Sequence, residues 1–293
     1  MATPSILHHR PFDNPLALAA EIADRKAPLQ ITLDYDGTLF PIVRIPATAI
    51  PDQELRKILA DLSQRCDLHI VSGRPMNELK SWFAGLGIHL HAEHGAVSER
   101  QAARITVSEE ALLAELAKGM QLTANQYPGT RVEVKKFSCC FHYRNANSYD
   151  GKTASADIRA YITKNFPTLQ ILEGKKTVEA RFHHLHKGVV IQDLLQERAT
   201  CLIVAIGDDR TDEDMFMAVP EEGFSIVVGG HPSNARYRLR DCEDVRLLLR
   251  ELAGLIQYSA GQQDATPLPL LKPQGGAITT RFHRDRSPDF ISV

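Results

Sequence analysis

Short apolar runs, each closed by a polar turn and followed by a helix-length stretch, constrain this 293-residue chain more than any other feature. Leu29–Leu33 reads LQITL, and the pattern returns at 68–71, at His89–Ala92, at 201–206 (CLIVAI) and at Phe224–Val228. Runs of four to six apolar residues bounded by turn signals predict strands buried on both faces. Between them, 52–62 places Leu55, Ile58, Leu59 and Leu62 on one helical face. Pro75 suits the first turn of a helix continuing through Phe83, and 188–196 reads as another helix. Strands alternating with such helices predict a Rossmann-like α/β core, a parallel sheet covered on both sides.

The middle of the chain follows a different pattern. A helix is expected at 109–127, and 131–144 alternates like a strand or a hairpin. A second helix at about 154–165 precedes strand candidates at 169–173 and 177–181. These elements predict an α+β cap domain, 105–182, inserted into a core formed by 1–104 and 183–260. The tail, 261–293, is rich in Gln, Pro, Gly and isolated charges, and is expected to be loosely attached.

With 43% hydrophobic residues the chain can bury one large core or two smaller ones. A net charge of −2 gives no general attraction to nucleic acid or to an anionic membrane, and neither is an expected partner. No apolar run approaches the roughly 18 residues needed to cross a bilayer, and the first 26 residues do not read as a signal peptide. Five cysteines without regular spacing (Cys66, Cys139, Cys140, Cys201 and Cys242) point to reduced thiols and a cytoplasmic protein. A monomer is expected, with an oligomer left open.

Four motifs carry chemistry. Asp34-Tyr35-Asp36-Gly37-Thr38-Leu39 follows the first strand, where open α/β sheets place their ligands. One carboxylate of such a pair can attack phosphorus while the other protonates the leaving oxygen and then activates water. The alternative is an ordinary Asp-Gly turn. Ser72, in Val71-Ser72-Gly73-Arg74, ends the second strand, where a hydroxyl and nearby N–H groups can hold a phosphate oxygen; common turn chemistry is the other reading. Lys187, entering a helix after His186, can neutralise a nucleophile and a phosphoryl group, or simply be solvated. The acidic run 207–214 (GDDRTDED) closes CLIVAI. Its carboxylates suit magnesium, which binds through oxygen, although acids also favour a helix N-terminus. The histidine groups His89, His91, His94 and His183, His184, His186 read as structural or exposed rather than metal-binding.

In this order the four motifs resemble the haloacid dehalogenase superfamily of phosphatases over roughly residues 28–250. A narrower resemblance, to trehalose-6-phosphate phosphatases, lies in 132–138 (VEVKKFS), 142–145 (HYRN), 92–95 (AEHG), 207–213 (GDDRTDE) and 235–239 (ARYRL). The family usually has a proline shortly after the Val-Glu of the cap's return strand; here Val178-Glu179-Ala180-Arg181 leads to Phe182. The resemblance implies Mg2+-dependent hydrolysis of trehalose 6-phosphate through an aspartyl-phosphate. Asp34 would be the nucleophile, Asp36 the acid and base, and Ser72 and Lys187 the phosphate ligands. It implies a metal site of Asp34, Asp36 (through its carbonyl), Asp208 and Asp212, the last close by or through water. Arg74 would bind the substrate, and Glu133, Lys135, Arg144, Lys175 and Glu179 the hydroxyls of the disaccharide. The alternatives are a phosphatase for another sugar phosphate, such as sucrose phosphate or mannosylglycerate phosphate, and a catalytically inactive regulatory domain.

Overall fold

The computed structural model describes residues 11–99, 105–135, 137–174, 176–198 and 200–256. The tail read at 261–293 and the candidate sugar ligand Lys175 lie outside the described residues. The chain opens with α1 (Pro15–Asp24), whose Asn14 cap accepts from the N–H groups of Leu16 and Ala17. Three parallel strands follow, β1 (Leu29–Leu33), β2 (Asp67–Val71) and β3 (His89–Ala92), with a short antiparallel β4 (Val97–Ser98) at the edge. The crossovers are α2 (Gln53–Ser63), capped by Asp52, and α3 (Met76–Phe83), which starts directly after Pro75.

The segment read as α+β forms a separate four-stranded antiparallel sheet with two helices. It begins with α4 (Val107–Ala124), closed by a capping box between Thr106 and Glu109. Residues 131–144 resolve into a hairpin of β5 (Arg131–Val134) and β6 (Ser138–His142). Next comes α5 (Ser148–Asn165), six residues longer at its start than the apolar pattern indicates. Its first turns are polar, and the Asn147 cap, not periodicity, fixes the beginning. Strands β7 (Leu169–Gly174) and β8 (Thr177–Phe182) complete the order β5-β6-β8-β7. Strand alternation divides this sheet. Cys139, Phe141, Val178 and Ala180 face a core shared with Leu116, Met120, Ile158 and Ile162 of the helices. The other face carries Glu133, Lys135, Ser138, Glu179 and Arg181.

The chain then returns to the first sheet through α6 (Gly188–Glu197), β9 (Leu202–Gly207), α7 (Glu213–Ala218), β10 (Phe224–Val228), β11 (Tyr237–Leu239) and α8 (Cys242–Leu255). Among the described residues the sheet has seven strands in the order β11-β10-β9-β1-β2-β3-β4. Ile31, Leu33, Val204, Ile206 and Ile226 point to one side, where α1, α2 and α8 cover them. Ile203, Ala205 and Val227 point to the other, against Val190, Ile191 and Leu194 of α6 and Met215 and Phe216 of α7. Strand β1 lies between β9 and β2, so the chain leaves it toward opposite edges. That is the switch point at which such sheets open a crevice.

Ile158 is fully buried between α5 and the antiparallel sheet. Ile158→Ala is expected to lower unfolding stability by about 2–5 kcal/mol, measured by urea denaturation.

Candidate active site

Strands β1, β2 and β9 end side by side, and each hands its next residue to one crevice: Asp34, Ser72 and Asp208. Lys187 reaches the same place from the start of α6. Its ammonium is 2% exposed and donates to Asp34 Oδ1 at 2.7 Å and to Asp212 Oδ1 at 2.6 Å. Burial opposes its charge, but Asp212 and Asp34 hold it well above the usual lysine range. Asp212 is fully buried, and its second oxygen accepts from the N–H groups of Asp208 and Asp209. Asp212 thus orients both the lysine and the acidic loop. Thr38 Oγ1 lies 3.1 Å from Asp34 Oδ2 and 3.3 Å from Asp208 Oδ1, bridging the first and last motifs. Gly37 is required between them. Its φ is +92°, and a Cβ there would fall 2.0 Å from the Asp208 carboxylate.

Negative charge exceeds positive charge in this crevice. Burial raises Asp34, only partly offset by Lys187. Burial, then the charges of Asp34 and Asp209, push Asp208 up to about 8. Carboxylate oxygens of Asp34, Asp208 and Asp212 lie within 4.8 Å of one another. An all-oxygen donor set with surplus negative charge fits a hard divalent cation.

Asp36 and Arg74 form a second unit. Arg74 Nε and Nη2 each donate to the Asp36 carboxylate at 2.6 Å, and Nη2 also donates to the Pro46 carbonyl at 2.9 Å. Its Nη1 pairs with Glu78 at 3.0 Å, and the guanidinium lies 4.6 Å from the Trp82 ring centroid. Read from sequence as a substrate ligand, Arg74 has these donors on Asp36, Pro46 and Glu78. Ser72 is buried, and its Oγ accepts from the Arg74 N–H at 3.2 Å, which tightens the turn that joins the two units.

The candidate sugar ligands fall into two groups on the polar face of the antiparallel sheet. Glu179 accepts from Ser138 Oγ at 2.5 Å and from Lys135 Nζ at 3.2 Å. Against burial, Lys135 and the Ser138 hydroxyl hold Glu179 below the usual carboxylate range. Beside this row, Arg181 donates to Asp214 of α7 at 2.6 Å, tying the sheet to the strand-end crevice. Glu133 instead pairs with His142 at 2.7 Å, farther from Arg181 along the sheet. The exposed Arg144 lines a pocket of about 260 Å³ with Arg131, His142 and Asn145. Thr38 and Asp209 belong to the crevice although the sequence reading assigned them no role. Their place within the first and fourth motifs was the available signal.

This architecture defines a haloacid dehalogenase-like fold. The sequence profile of the trehalose-phosphatase family matches residues 32–243, and the chain belongs to that family. A Dictyostelium discoideum protein named alpha,alpha-trehalose-phosphate synthase [UDP-forming] B is 34% identical over 258 residues, 82% of this chain and 32% of its own length. A bifunctional trehalose-6-phosphate synthase/phosphatase of Thermoproteus tenax is also 34% identical, over 80% of this chain and 33% of its own. The chain therefore spans about a third of these curated relatives. The solved C-terminal domain of the Candida albicans trehalose-6-phosphate phosphatase superposes with a TM-score of 0.68 at 25% identity, covering 84% of this chain and 99% of that domain.

Because the folded-state value of Glu179 is depressed, its contribution to stability is present above the unfolded carboxylate value, about 4.3, and is lost as pH falls through the lower folded value. Glu179→Gln is expected to destabilise the protein at neutral pH, with the gap to wild type closing on acidification. Denaturant titrations across that range measure it.

Proposed function

We propose that the protein is a magnesium-dependent phosphatase that hydrolyses trehalose 6-phosphate to trehalose and inorganic phosphate. The observation that carries this reading is the convergence of Asp34, Lys187 and Asp208 at adjacent strand ends, with the Lys135–Glu179 pair on the sheet tied to them by Arg181. In this reading 105–182 is the sugar-recognising cap and 1–104 with 183–260 the catalytic core. Magnesium would be held by Asp34 and Asp208, with the carbonyl of Asp36. Asp212, whose oxygens already accept three bonds, would stand next to it. When bound, magnesium supplies positive charge that offsets repulsion between anionic nucleophile and anionic substrate.

An Asp34 carboxylate oxygen attacks phosphorus, forming an aspartyl-phosphate as the bond to the sugar oxygen breaks. Asp36, released from Arg74, gives its proton to that oxygen. It then takes a proton from water, whose attack on phosphorus frees phosphate and regenerates Asp34. Lys187 and Ser72 hold the phosphoryl oxygens through both steps. Arg74 keeps Asp36 in place between them. On the cap, Glu133, Lys135, Arg144 and Glu179 pair with sugar hydroxyls, and Lys175 is assigned the same role from sequence. Ligands that leave these polar groups unpaired are disfavoured. Four buried thiols and no apolar membrane-length helix among the described residues suit a reducing cytoplasm.

The reading is tested by phosphate release from a panel of sugar phosphates with magnesium and with EDTA. Magnesium-dependent preference for trehalose 6-phosphate over glucose 6-phosphate and sucrose 6-phosphate is expected; even activity over the panel sinks the disaccharide assignment. Asp34→Asn should lower kcat by at least about 10³-fold. Asp36→Asn should lower it by roughly 10²–10⁴-fold on the sugar ester, and less on p-nitrophenyl phosphate, whose leaving group needs no proton.

A further inference from the structure

Between the phosphate crevice and the polar cap face stands a residue to which neither reaction step assigns a task. His94 follows β3 in a segment that clasps the Ser72 turn: the His94 N–H donates to the Ser72 carbonyl at 2.9 Å and the Glu93 N–H to the Arg74 carbonyl at 3.1 Å. Glu93 and His94 both adopt left-handed backbone, with φ of 51° and 57°. Two successive non-glycine residues in that region are uncommon, and such conformations persist where the surroundings enforce them and cluster at ligand sites. The ring is thereby laid over Gly73, so closely that a Cβ there would meet its Cε1 and Nε2 at 2.6 Å. Its Nδ1 is shielded from solvent and has no hydrogen-bond partner among the described residues.

Four charged groups act on the ring, and they come from both sides of the cleft: Lys187 and Asp209 from the phosphate crevice, Glu179 and Lys135 from the cap. We infer that His94 is a specificity-determining residue, whose imidazole pairs with a hydroxyl of the sugar ring that carries the phosphate. This rests on the phosphatase reading above and deepens it. Such a hydroxyl must lie between the phosphoryl site and the Glu179–Lys135 pair, and His94 occupies that interval. Burial, reinforced by the Lys187 ammonium, pushes the imidazole down to about 4, so at neutral pH it offers one N–H donor and one lone pair, as a hydroxyl does. A cation there would compete with Lys187 for the phosphate; a neutral ring does not. The strained backbone is then the means of keeping that ring against Gly73, where it cannot rotate away.

The test uses the full chain with magnesium and compares kcat/KM for trehalose 6-phosphate with that for p-nitrophenyl phosphate, which has no sugar hydroxyl. His94→Ala should lower the ratio of the two roughly tenfold, mainly through KM for the sugar ester. His94→Asn keeps a residue that accepts left-handed backbone, so its melting temperature should match or exceed wild type while the ratio still falls. Gly73 has no left-handed φ, so Gly73→Ala should act only by displacing the ring: it should lower the ratio in the wild-type chain and have no further effect in His94→Ala. An unchanged ratio in His94→Ala, or equal losses on both esters, overturns the inference while the disaccharide reading stands. A wild-type enzyme without preference for trehalose 6-phosphate overturns both.

Discussion

A buried ammonium organises this molecule. Lys187 sits at the mouth of the parallel sheet with Asp34 on one side and Asp212 on the other, almost without solvent. Removing one partner of such a buried ion pair costs about 3–5 kcal/mol, because it strands the other charge. The arrangement therefore fixes more than the two carboxylates it touches. Asp212 is held by Lys187 and in turn accepts the N–H groups of Asp208 and Asp209, which sets the acidic loop. Thr38 joins that loop to the Asp34 turn. Three distant segments, near residues 34, 187 and 210, are assembled by one positive charge.

That charge alone cannot serve every acid nearby. Asp36, two residues from Asp34, would add another negative charge to a crevice where Asp208 is already forced upward by its neighbours. Arg74 provides a second positive pole on the outer side of the turn, fixed by Glu78, the Pro46 carbonyl and the face of Trp82. An arginine suits this task because its planar fork grips both oxygens of a carboxylate at once. The two aspartates of one turn are thus kept in separate electrostatic surroundings, Asp34 with Lys187 and Asp36 with Arg74.

The periodic parts of this fold were legible in the sequence. Leu29–Leu33, His89–Ala92 and Phe224–Val228 are strands with those bounds, because an apolar run closed by a turn leaves few choices. Helix α8 is legible as well, because Val245, Leu248, Leu249 and Leu252 repeat at helical spacing behind the Asp241 cap. The start of α5 was illegible for a physical reason: a cap and polar first turns carry no apolar period. Partnerships were also hidden. Spacing could bring Arg74 to a strand end, but nothing in Ser-Gly-Arg says whether the guanidinium faces a ligand or grips Asp36. Nor could it show the left-handed pair at Glu93 and His94, which tertiary contacts impose.

The inserted sheet presents one apolar and one polar face by alternation alone. Every second residue of β6 and β8, with Val132 of β5, joins the apolar core with α4 and α5, which leaves the intervening ones to form a polar surface without loops. Its rows run from Ser138 and Arg181, beside Asp214, through Glu133 and Glu179, to Arg131 and His142. At strand spacing the outer rows are about 14 Å apart, enough for more than one sugar ring. If phosphorus chemistry takes place beside Lys187, as proposed, the length of ligand that the surface can satisfy is decided by how many rows present donors and acceptors. Glu179 holds the middle position, reached by Lys135 and Ser138 from the row nearer the crevice. Under the proposed function, substitution there would change which sugar is read while leaving the Lys187–Asp34 pair in place.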